Sequence, residues 1–594
     1  MIVAMKKVQA LFLARHRDEV LAALRAAGVV HLAPAATPAG TDLDTLRKQV
    51  QEVRDEISRL ATVPLSATAG LAPVPADELL ATVRQARGRV EQRVGDRAVL
   101  ARRLEELAPF GDFDPASFAA LASAGRPVRL LRLSANAADQ EPPPGVVLHV
   151  LHRSRSTAWA VQIGGEAPAV LAEEVPPPTE STSALRARLA DLDREIERER
   201  LVPARVAAHL PALRRHLTDL ESSAEMLEAQ LGLSAHDDIL VLEGYAPAEQ
   251  AEPLTRLAAS AGWGVRITDP SPGDDPPTLI RNPAWIRPVE SVLQAIGIVP
   301  GYREVDISAA FLLFFSLFFA MLVGDAGYGA VFLGLTLLVR RKRPDAPPEP
   351  FRMMGIASAA TMLWGALTGT WFGMVFTSAP LAAWGASDSN VMQFCFLIGA
   401  IHLTLAHLWA AARQWNHPSA LAQIGYIFTT WTMYFMAGDM VLGRPAPDGV
   451  GWLFLAGLAL IVLFMTPLRD LRSQWFNHVM LPLSLVGNFV DVISYLRLFA
   501  VGFAGLAMAS TFNEMAGGGS GFLGGVAGVF ILLVGHALNI TLAAMGVLVH
   551  GVRLNTLEFS SHIGNQWSGR AYAPFAPRGG LDAQAGPSTT AGKG

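Results

Sequence analysis

Seven long apolar stretches, at 309–339, 352–376, 391–412, 420–442, 450–468, 480–515 and 521–558, fill the second half of this chain and limit what it can fold into. A hydrocarbon layer about 30 Å thick is crossed by about 20 helical residues, so each stretch can span one. Composition agrees, because 51% of the 594 residues are hydrophobic and only 17% are charged, too apolar for a wholly soluble protein. The net charge of −4 shows no basic bias and argues against a nucleic-acid partner. The single cysteine, Cys395, excludes an internal disulfide and a cysteine-built zinc site, and in its apolar segment it reads as a packing residue.

Flanking charges set the number of crossings. If the amino-terminal half is cytoplasmic and 309–339 crosses once, Arg340, Arg341, Lys342 and Arg343 fall outside, against the preference of basic residues for cytoplasmic loops. A break near Gly324-Asp325-Ala326-Gly327 makes that stretch a hairpin of two helices and returns the cluster to the cytoplasm, with Arg352, Arg413, Arg469, Arg472, Arg570 and Arg578. Only Arg444 then stays outside. Eight crossings with both termini cytoplasmic are therefore expected, one of them partial, since 31 residues are short for two full spans. The last two stretches, 36 and 38 residues long, reach more than about 50 Å as helices and must tilt or project from the bilayer.

The first 305 residues read differently. Charges among the first thirty residues leave no signal-peptide core, so the amino terminus is expected to stay in the cytoplasm. A strand at 8–14 and a helix at 18–27 ending on Gly28 make a small α/β beginning. At 42–60, 77–107 and 183–233, the last broken by Pro203 and Pro211, apolar residues recur at helical steps between charged flanks, which predicts an antiparallel coiled coil. Further strands are expected at 128–133, 146–151, 159–163 and 239–243, giving two small α/β lobes separated by a helical rod. A compact helical domain is the plainer alternative. No nucleotide site is visible: Gly592 and Lys593 lack the rest of a phosphate loop, and Gly519, Gly521 and Gly524 lie in a turn between apolar stretches.

Two arginines stand where charge is costly. Arg497 lies deep in the sixth stretch and Arg553 near the end of the seventh, at about 3 kcal/mol for a mid-membrane arginine, which cannot shed its proton. Such a residue faces protein or water, and the plain reading is a salt bridge to an internal acid, with Asp491, Glu514 and Glu558 as candidates. The functional reading rests on helical spacing: Ser494, Val501, Ala504, Met508 and Thr511 share a side with Arg497, and Gly535, Asn539, Gly546 and His550 share one with Arg553. A smooth surface of small residues bearing isolated cations suits a moving carboxylate partner, whose proton an arginine helps to release. Asp325, Tyr328, His402, His407, Asp439, Asn488, Asp491, Glu514, His536 and Asn539 are further polar residues that can line ion paths or simply pack helices. His402 and His407, five apart and about 140° around a helix, make a poor metal pair.

With these residues in view, the chain resembles the membrane stator subunit of V-type and archaeal or bacterial A-type rotary ATPases, called subunit a or subunit I. The likeness covers nearly the whole length. It is carried by Met5-Lys6-Lys7-Val8 with Gly28-Val29-Val30-His31-Leu32, by Leu242-Glu243-Gly244-Tyr245-Ala246-Pro247, and by Asn282-Pro283 through Pro288 and Glu290 to Tyr302-Arg303-Glu304-Val305-Asp306. It continues with Gly324-Asp325-Ala326-Gly327-Tyr328-Gly329, Ser494-Tyr495-Leu496-Arg497-Leu498, His550 through Arg553-Leu554 to Glu558-Phe559, and Tyr572-Ala573-Pro574-Phe575. Two arginine motifs in this order behind a coiled-coil domain are the specific part.

The resemblance implies a mainly α protein: a cytoplasmic collar domain at 1–305, a polytopic membrane domain of about eight helices at 306–570 with the last two long and tilted, and a cytoplasmic tail at 571–594, disordered from 579. It implies ion translocation at Arg497 and Arg553, with Asp325, Tyr328, Asn488, Asp491, Ser494, Tyr495, His536, Asn539, His550 and Glu558 as half-channel or supporting residues. The implied partners are a proteolipid ring, peripheral-stalk subunits of E/G type, a central-stalk cap subunit of d/C type and the lipid membrane. No catalytic site, cofactor or resident metal is implied; the transported ion is H+ in preference to Na+. Eukaryotic relatives often carry an acid ten positions before the second arginine, where this chain has Ala543, leaving His536 and Asn539 as candidate substitutes. The short 516–520 turn resembles a bacterial or archaeal form. A self-contained secondary transporter predicts internal repeats, which are not evident, and a receptor or scaffold predicts dispensable intramembrane arginines.

Overall fold

The structure, a computed structural model, describes residues 1–33, 38–63, 74–165, 167–168, 172–176, 179–467, 469, 471–518 and 521–577. The tail expected to be disordered from 579, with Gly592 and Lys593, lies outside the described residues, as do Arg578 and Gly519. The chain divides into two units, Met1–Ala33 with Ala235–Phe575, and Pro34–Ser234 with Ala576–Gly594.

In the second unit the charged flanks leave only the apolar seams to bury, so the helices pair. Thr41–Ala61 lies antiparallel to Leu210–Leu231, since Arg47 meets Glu228 at 2.8 Å and Arg54 meets Glu221 at 2.6 Å. Ala76–Leu107 and Thr182–Arg200 run likewise, through Arg89–Glu199, Arg93–Glu195 and Arg97–Asp193. Val53, Ile57, Leu60, Leu80, Val83 and Leu213 belong to the buried core between helices. Pro203 and Pro211 sit at the starts of Val202–Ala207 and Leu210–Leu231, where a missing N–H costs nothing. An antiparallel sheet runs Val147–Arg153, Thr157–Ile163, Val128–Ser134, Ala172–Val175. Its last strand has no apolar alternation to announce it; Glu173 and Glu174 are paired to Arg132 and Arg129 of the neighbouring strand.

The first unit opens with a sheet in which Met5–Leu13 lies between Ile239–Pro247 and Gly264–Thr268, all antiparallel, with His31–Leu32 on the far side of Ile239–Pro247. Val8, Ala10 and Phe12 alternate toward the core at the two-residue strand period. Arg17–Ala27 ends on Gly28 in the left-handed conformation, φ 63°, the helix stop read from sequence. Lys7 hydrogen-bonds Asp274 at 3.0 Å and, with Ser271, holds that carboxyl down to about 2.

Three described helices are long and apolar enough to cross a membrane, Asp388–Arg413, Trp475–Gly517 and Gly521–Ile563, and a bent pair, Ser308–Val323 with Ala326–Lys342, makes a fourth candidate. Pro348–Thr368, Ser419–Leu442 and the 15-residue Val450–Phe464 occupy the other apolar stretches. By length and composition the count is thus three to four, against the eight expected from flanking charge. The bend is 120° and falls where the sequence placed it. Gly324, at φ 65°, closes the first helix in the left-handed conformation. Asp325 then caps the second, accepting from the Tyr328 N–H at 3.1 Å with one oxygen and from the Gly373 N–H at 2.8 Å with the other.

The last two long helices run 43 residues each, about 64 Å, roughly twice a hydrocarbon layer. They pack on each other through small residues: a Cβ on Gly535 would lie 2.4 Å from the Phe512 ring, and one on Gly528 2.7 Å from the Ala516 carbonyl. Beyond Ile563 the chain returns to the amino-terminal sheet, where Phe575 N–H donates to the Val30 carbonyl at 2.8 Å and the Tyr572 hydroxyl to the Val29 carbonyl at 2.6 Å.

Candidate functional site

Arg497 is placed by a break in the first of the 43-residue helices. The helix is interrupted at Tyr495, between Trp475–Ser494 and Leu496–Gly517. The Tyr495 ring is buried against Gly399, where a Cβ would come within 2.6 Å of it, and its hydroxyl bonds His402 Nδ1 at 2.8 Å. His402 is itself stacked between Phe314 and Phe559, at centroid distances of 3.8 and 4.4 Å. Arg497 therefore leaves the helix at a pinned point, and its Nε donates to the Ser494 carbonyl at 2.9 Å.

Arg553 is placed by a change of helical winding. Gly521–Gly546 is α-helical, but Val547–Gly551 and Leu554–Phe559 adopt i→i+5 π geometry on either side of it. In an α-helix residues five apart diverge by about 140°; the wider turn brings them back toward one face. Arg553 Nε thus reaches Glu558 Oε1 at 3.3 Å, and Arg497 Nη2 donates to the same oxygen. Glu558 is 4% exposed, against 23% for Arg497 and 53% for Arg553. Its second oxygen, Oε2, is buried and has no hydrogen-bond partner among the described residues. Two guanidiniums and one carboxylate leave a net positive charge with a vacant acceptor beside it.

The internal acid of the plain reading is therefore Glu558, for both arginines. Glu514 is exposed and makes no ion pair among the described residues. Asp491 pairs instead with His562, Oδ2 to Nε2 at 2.9 Å, and His562 Nδ1 bonds His407 Nε2 at 3.0 Å. His562 was missed because it lies past the apolar stretch, although it stands four residues after Glu558 on a helix. Asp491, Arg553, Glu558, Ser561, Gln566 and Trp567 are among the residues lining a cavity of about 450 Å³. His550 lies between the arginines in sequence, half-buried, with Nδ1 lacking a partner among the described residues.

A second polar cluster sits further along the helix, from Gly505 to Asn513, about 12 to 24 Å past Arg497 at the 1.5 Å rise. Tyr328 hydroxyl bonds His536 Nδ1 at 2.7 Å and accepts from Asn539 Nδ2 at 3.0 Å. His536 Nε2 lies 3.1 Å from Asn513 Oδ1, and Asn539 also donates to the Gly505 carbonyl at 2.8 Å. Asp325 is the helix cap described above, and Asn488 ties Trp475–Ser494 to Thr429 and Thr430 at 3.3 and 3.2 Å. The stripe read as a face for a moving partner turns inward in part: Gly535 meets Phe512, Asn539 is buried, and a Cβ on Gly546 would touch Val501 at 3.1 Å. Helical period alone does not say which side a neighbouring helix covers. On the other helix Ala504 and Thr511 are exposed and Met508 is half-buried. Among the described residues no group of three or more His, Cys, Asp or Glu is placed to hold a metal.

No protein-family model matches the sequence. V-type ATP synthase subunit I 1 of Treponema pallidum (strain Nichols) is 32% identical over 631 aligned positions, covering 97% of this chain and all of that protein. The chain belongs to the V/A-type ATP synthase subunit I family. V-type ATP synthase subunit I of Borreliella burgdorferi is 35% identical over 57% of this chain and 60% of that protein, and A-type ATP synthase subunit I of Methanocaldococcus jannaschii is 24% identical over 67% and 64%. A crystal structure of the cytoplasmic N-terminal domain of subunit I, homolog of subunit a, of V-ATPase is 16% identical with a TM-score of 0.20, covering 44% of this chain and 99% of that one. This member of the subunit I family is a membrane protein with several apolar helices.

Proposed function

We propose that the chain is the non-catalytic membrane stator of a rotary ATP synthase, supplying two ion half-channels and presenting Arg497 and Arg553 to a proteolipid ring. It couples H+, in preference to Na+, to ATP synthesis or hydrolysis on other subunits. The first 305 residues form a cytoplasmic collar for peripheral-stalk and central-stalk cap subunits, residues 306–570 cross the membrane eight times, and the termini are cytoplasmic.

One observation carries this reading: a shared carboxylate leaves two guanidiniums with a net positive charge, on helices whose apolar windows are only 22% buried within the chain. Surface so apolar and so bare needs lipid or another subunit against it. Glu558 acts as the resident counter-ion, and a carboxylate arriving on a rotor competes with it for Arg497 and Arg553. The fixed guanidinium charge favours the ionised form of that visitor and drives its proton off. The outer path runs by Tyr328, His536, Asn513 and Asn539, and the inner one by Asp491 and the cavity at Arg553.

Arg497→Ala in the intact complex, reconstituted in vesicles, is expected to abolish ATP-driven ion pumping while the subunits still assemble. Pumping at the native rate rejects the reading. If the triad is only a packing clamp, assembly fails and no pumping-deficient complex is recovered.

A further inference from the structure

The described hydrogen bonds contain a linear chain of four side chains, of which the stator reading uses only Asp491. Gln423 Oε1 bonds His407 Nδ1 at 2.8 Å, His407 Nε2 bonds His562 Nδ1 at 3.0 Å, and His562 Nε2 bonds Asp491 Oδ2 at 2.9 Å. His407 and His562 are 3% and 12% exposed, while Asp491 is 29% exposed and lines the 450 Å³ cavity. Tyr426 lies flat on the His407 ring, 5.3 Å away at 5°, which keeps that ring from swinging.

Counting hydrogens fixes what each link must be. Gln423 Oε1 can only accept, so His407 carries its hydrogen on Nδ1 and offers a lone pair at Nε2. His562 must then donate from Nδ1. Between His562 Nε2 and Asp491 Oδ2 there has to be one further hydrogen, because without it two lone pairs would face each other at 2.9 Å. The pair is thus an imidazolium beside a carboxylate or an imidazole beside a carboxylic acid. Turning the Gln423 amide over reverses the first two bonds: the amide donates to His407 Nδ1, His407 Nε2 donates to His562 Nδ1, and His562 Nε2 donates to an ionised Asp491. That second arrangement is equally complete and holds one proton fewer.

We infer that Asp491 and His562 form a proton-loading site at the mouth of this cavity, with His407 and Gln423 as positioning residues that set its two states. The inference rests on the stator reading. Loading takes one proton from hydronium in the cavity and leaves water; unloading gives that proton to water or to a carboxylate at the Arg553 side. The cavity has room for several waters. Among the described residues the other titratable or charged groups near the site are Arg553 and Glu558 across the cavity, Tyr426 against His407, His402 near His562, Tyr495 near Asp491, and Arg497 through Glu558.

The test is ATP-driven proton uptake by vesicles holding the intact complex, followed against pH. Asp491→Asn and His562→Gln are expected to lower the rate by about tenfold or more, with Asp491→Glu restoring most of it. Gln423→Glu can accept but not donate, so it holds the site in its loaded state and is expected to move the alkaline limb of the profile to higher pH at normal assembly. Native rates and profiles for Asp491→Asn and His562→Gln overturn the inference, as does failure of those two variants and Asp491→Glu to assemble. Arg497→Ala, run alongside, separates the two ideas: pumping retained there sinks the stator reading, whereas pumping lost there with Asp491→Asn unaffected sinks only the loading site.

Discussion

One glutamate shared by two arginines recurs in both units of this molecule, and Glu199 and Glu558 carry the motif in contrasting surroundings. In the charged helices of one unit, Glu199 accepts from Arg89 at 2.9 Å and from Arg93 at 3.2 Å. In the apolar helices of the other, Glu558 accepts from Arg497 and is ion-paired with Arg553. Glu199 is 18% exposed and belongs to a row of ion pairs along the antiparallel seam, where water screens each contact and the pairing sets register more than stability. Glu558 is 4% exposed, and its second oxygen has no hydrogen-bond partner among the described residues. Identical chemistry is therefore a register device in one place and a high-energy charge cluster in the other, and the difference lies wholly in what surrounds it.

Removing the anion breaks the comparison most severely. Glu558→Gln leaves two guanidiniums side by side with no carboxylate, and about 3 kcal/mol of destabilisation is expected, lessened by the half-exposure of Arg553. The thermal midpoint of the full chain in detergent measures it. An Arg497→Ala and Glu558→Gln double-mutant cycle should show a coupling above about 1 kcal/mol, and a coupling near zero would mean the pair is no tighter than those of the soluble seam.

The pin beneath Arg497 comes next in size. Tyr495→Phe removes the hydroxyl from His402 Nδ1, and since His402 Nε2 has no partner among the described residues, both ring nitrogens are then left bare. A cost of about 1–2 kcal/mol follows, read as a fall in the same midpoint. Asp325→Ala strips a cap and the Gly373 contact at once, for about 1–2 kcal/mol. Unlike Tyr495→Phe, it acts on the 120° bend and is expected to leave the Arg497–Glu558 coupling unchanged.

What could be read from sequence and what could not divide along a physical line. Gly324 followed by Asp325 is a left-handed stop joined to a cap, a local signal, and the bend falls there. The antiparallel helical seams and the strands at 128–133 and 159–163 follow from period alone, and the structure has Val128–Ser134 and Thr157–Ile163. Both arginines announce themselves by the cost of their position, and Glu558 is among the three acids the sequence offers them. That one acid serves both does not follow from spacing, which assumes α winding, whereas the π turns at Leu554–Phe559 rotate Glu558 into reach. Nor does period reveal that Gly535 faces Phe512 rather than an open surface, or that Asp491 is taken by His562 from a helix 71 residues away. Those facts depend on which helices become neighbours, a property of the whole fold.

The smallest predicted effect concerns Glu199, and it sharpens the comparison from the weak side. Hydrogen bonding from Arg89, with help from Arg93, holds the Glu199 carboxyl below its ordinary value. A carboxyl depressed on folding adds stability that is fully present above the unfolded value, about 4.3, and is lost as pH falls through the lower folded one. Glu199→Gln is therefore expected to cost less than about 1 kcal/mol at neutral pH. The difference between mutant and native midpoints should close below about pH 4. Raising ionic strength to about 1 M, where the screening length is about 3 Å, should narrow it at neutral pH as well. If the Glu199 deficit instead persists in acid and high salt, its arginines stabilise through the packing of their stems on the seam, and charge is not what distinguishes the two glutamates.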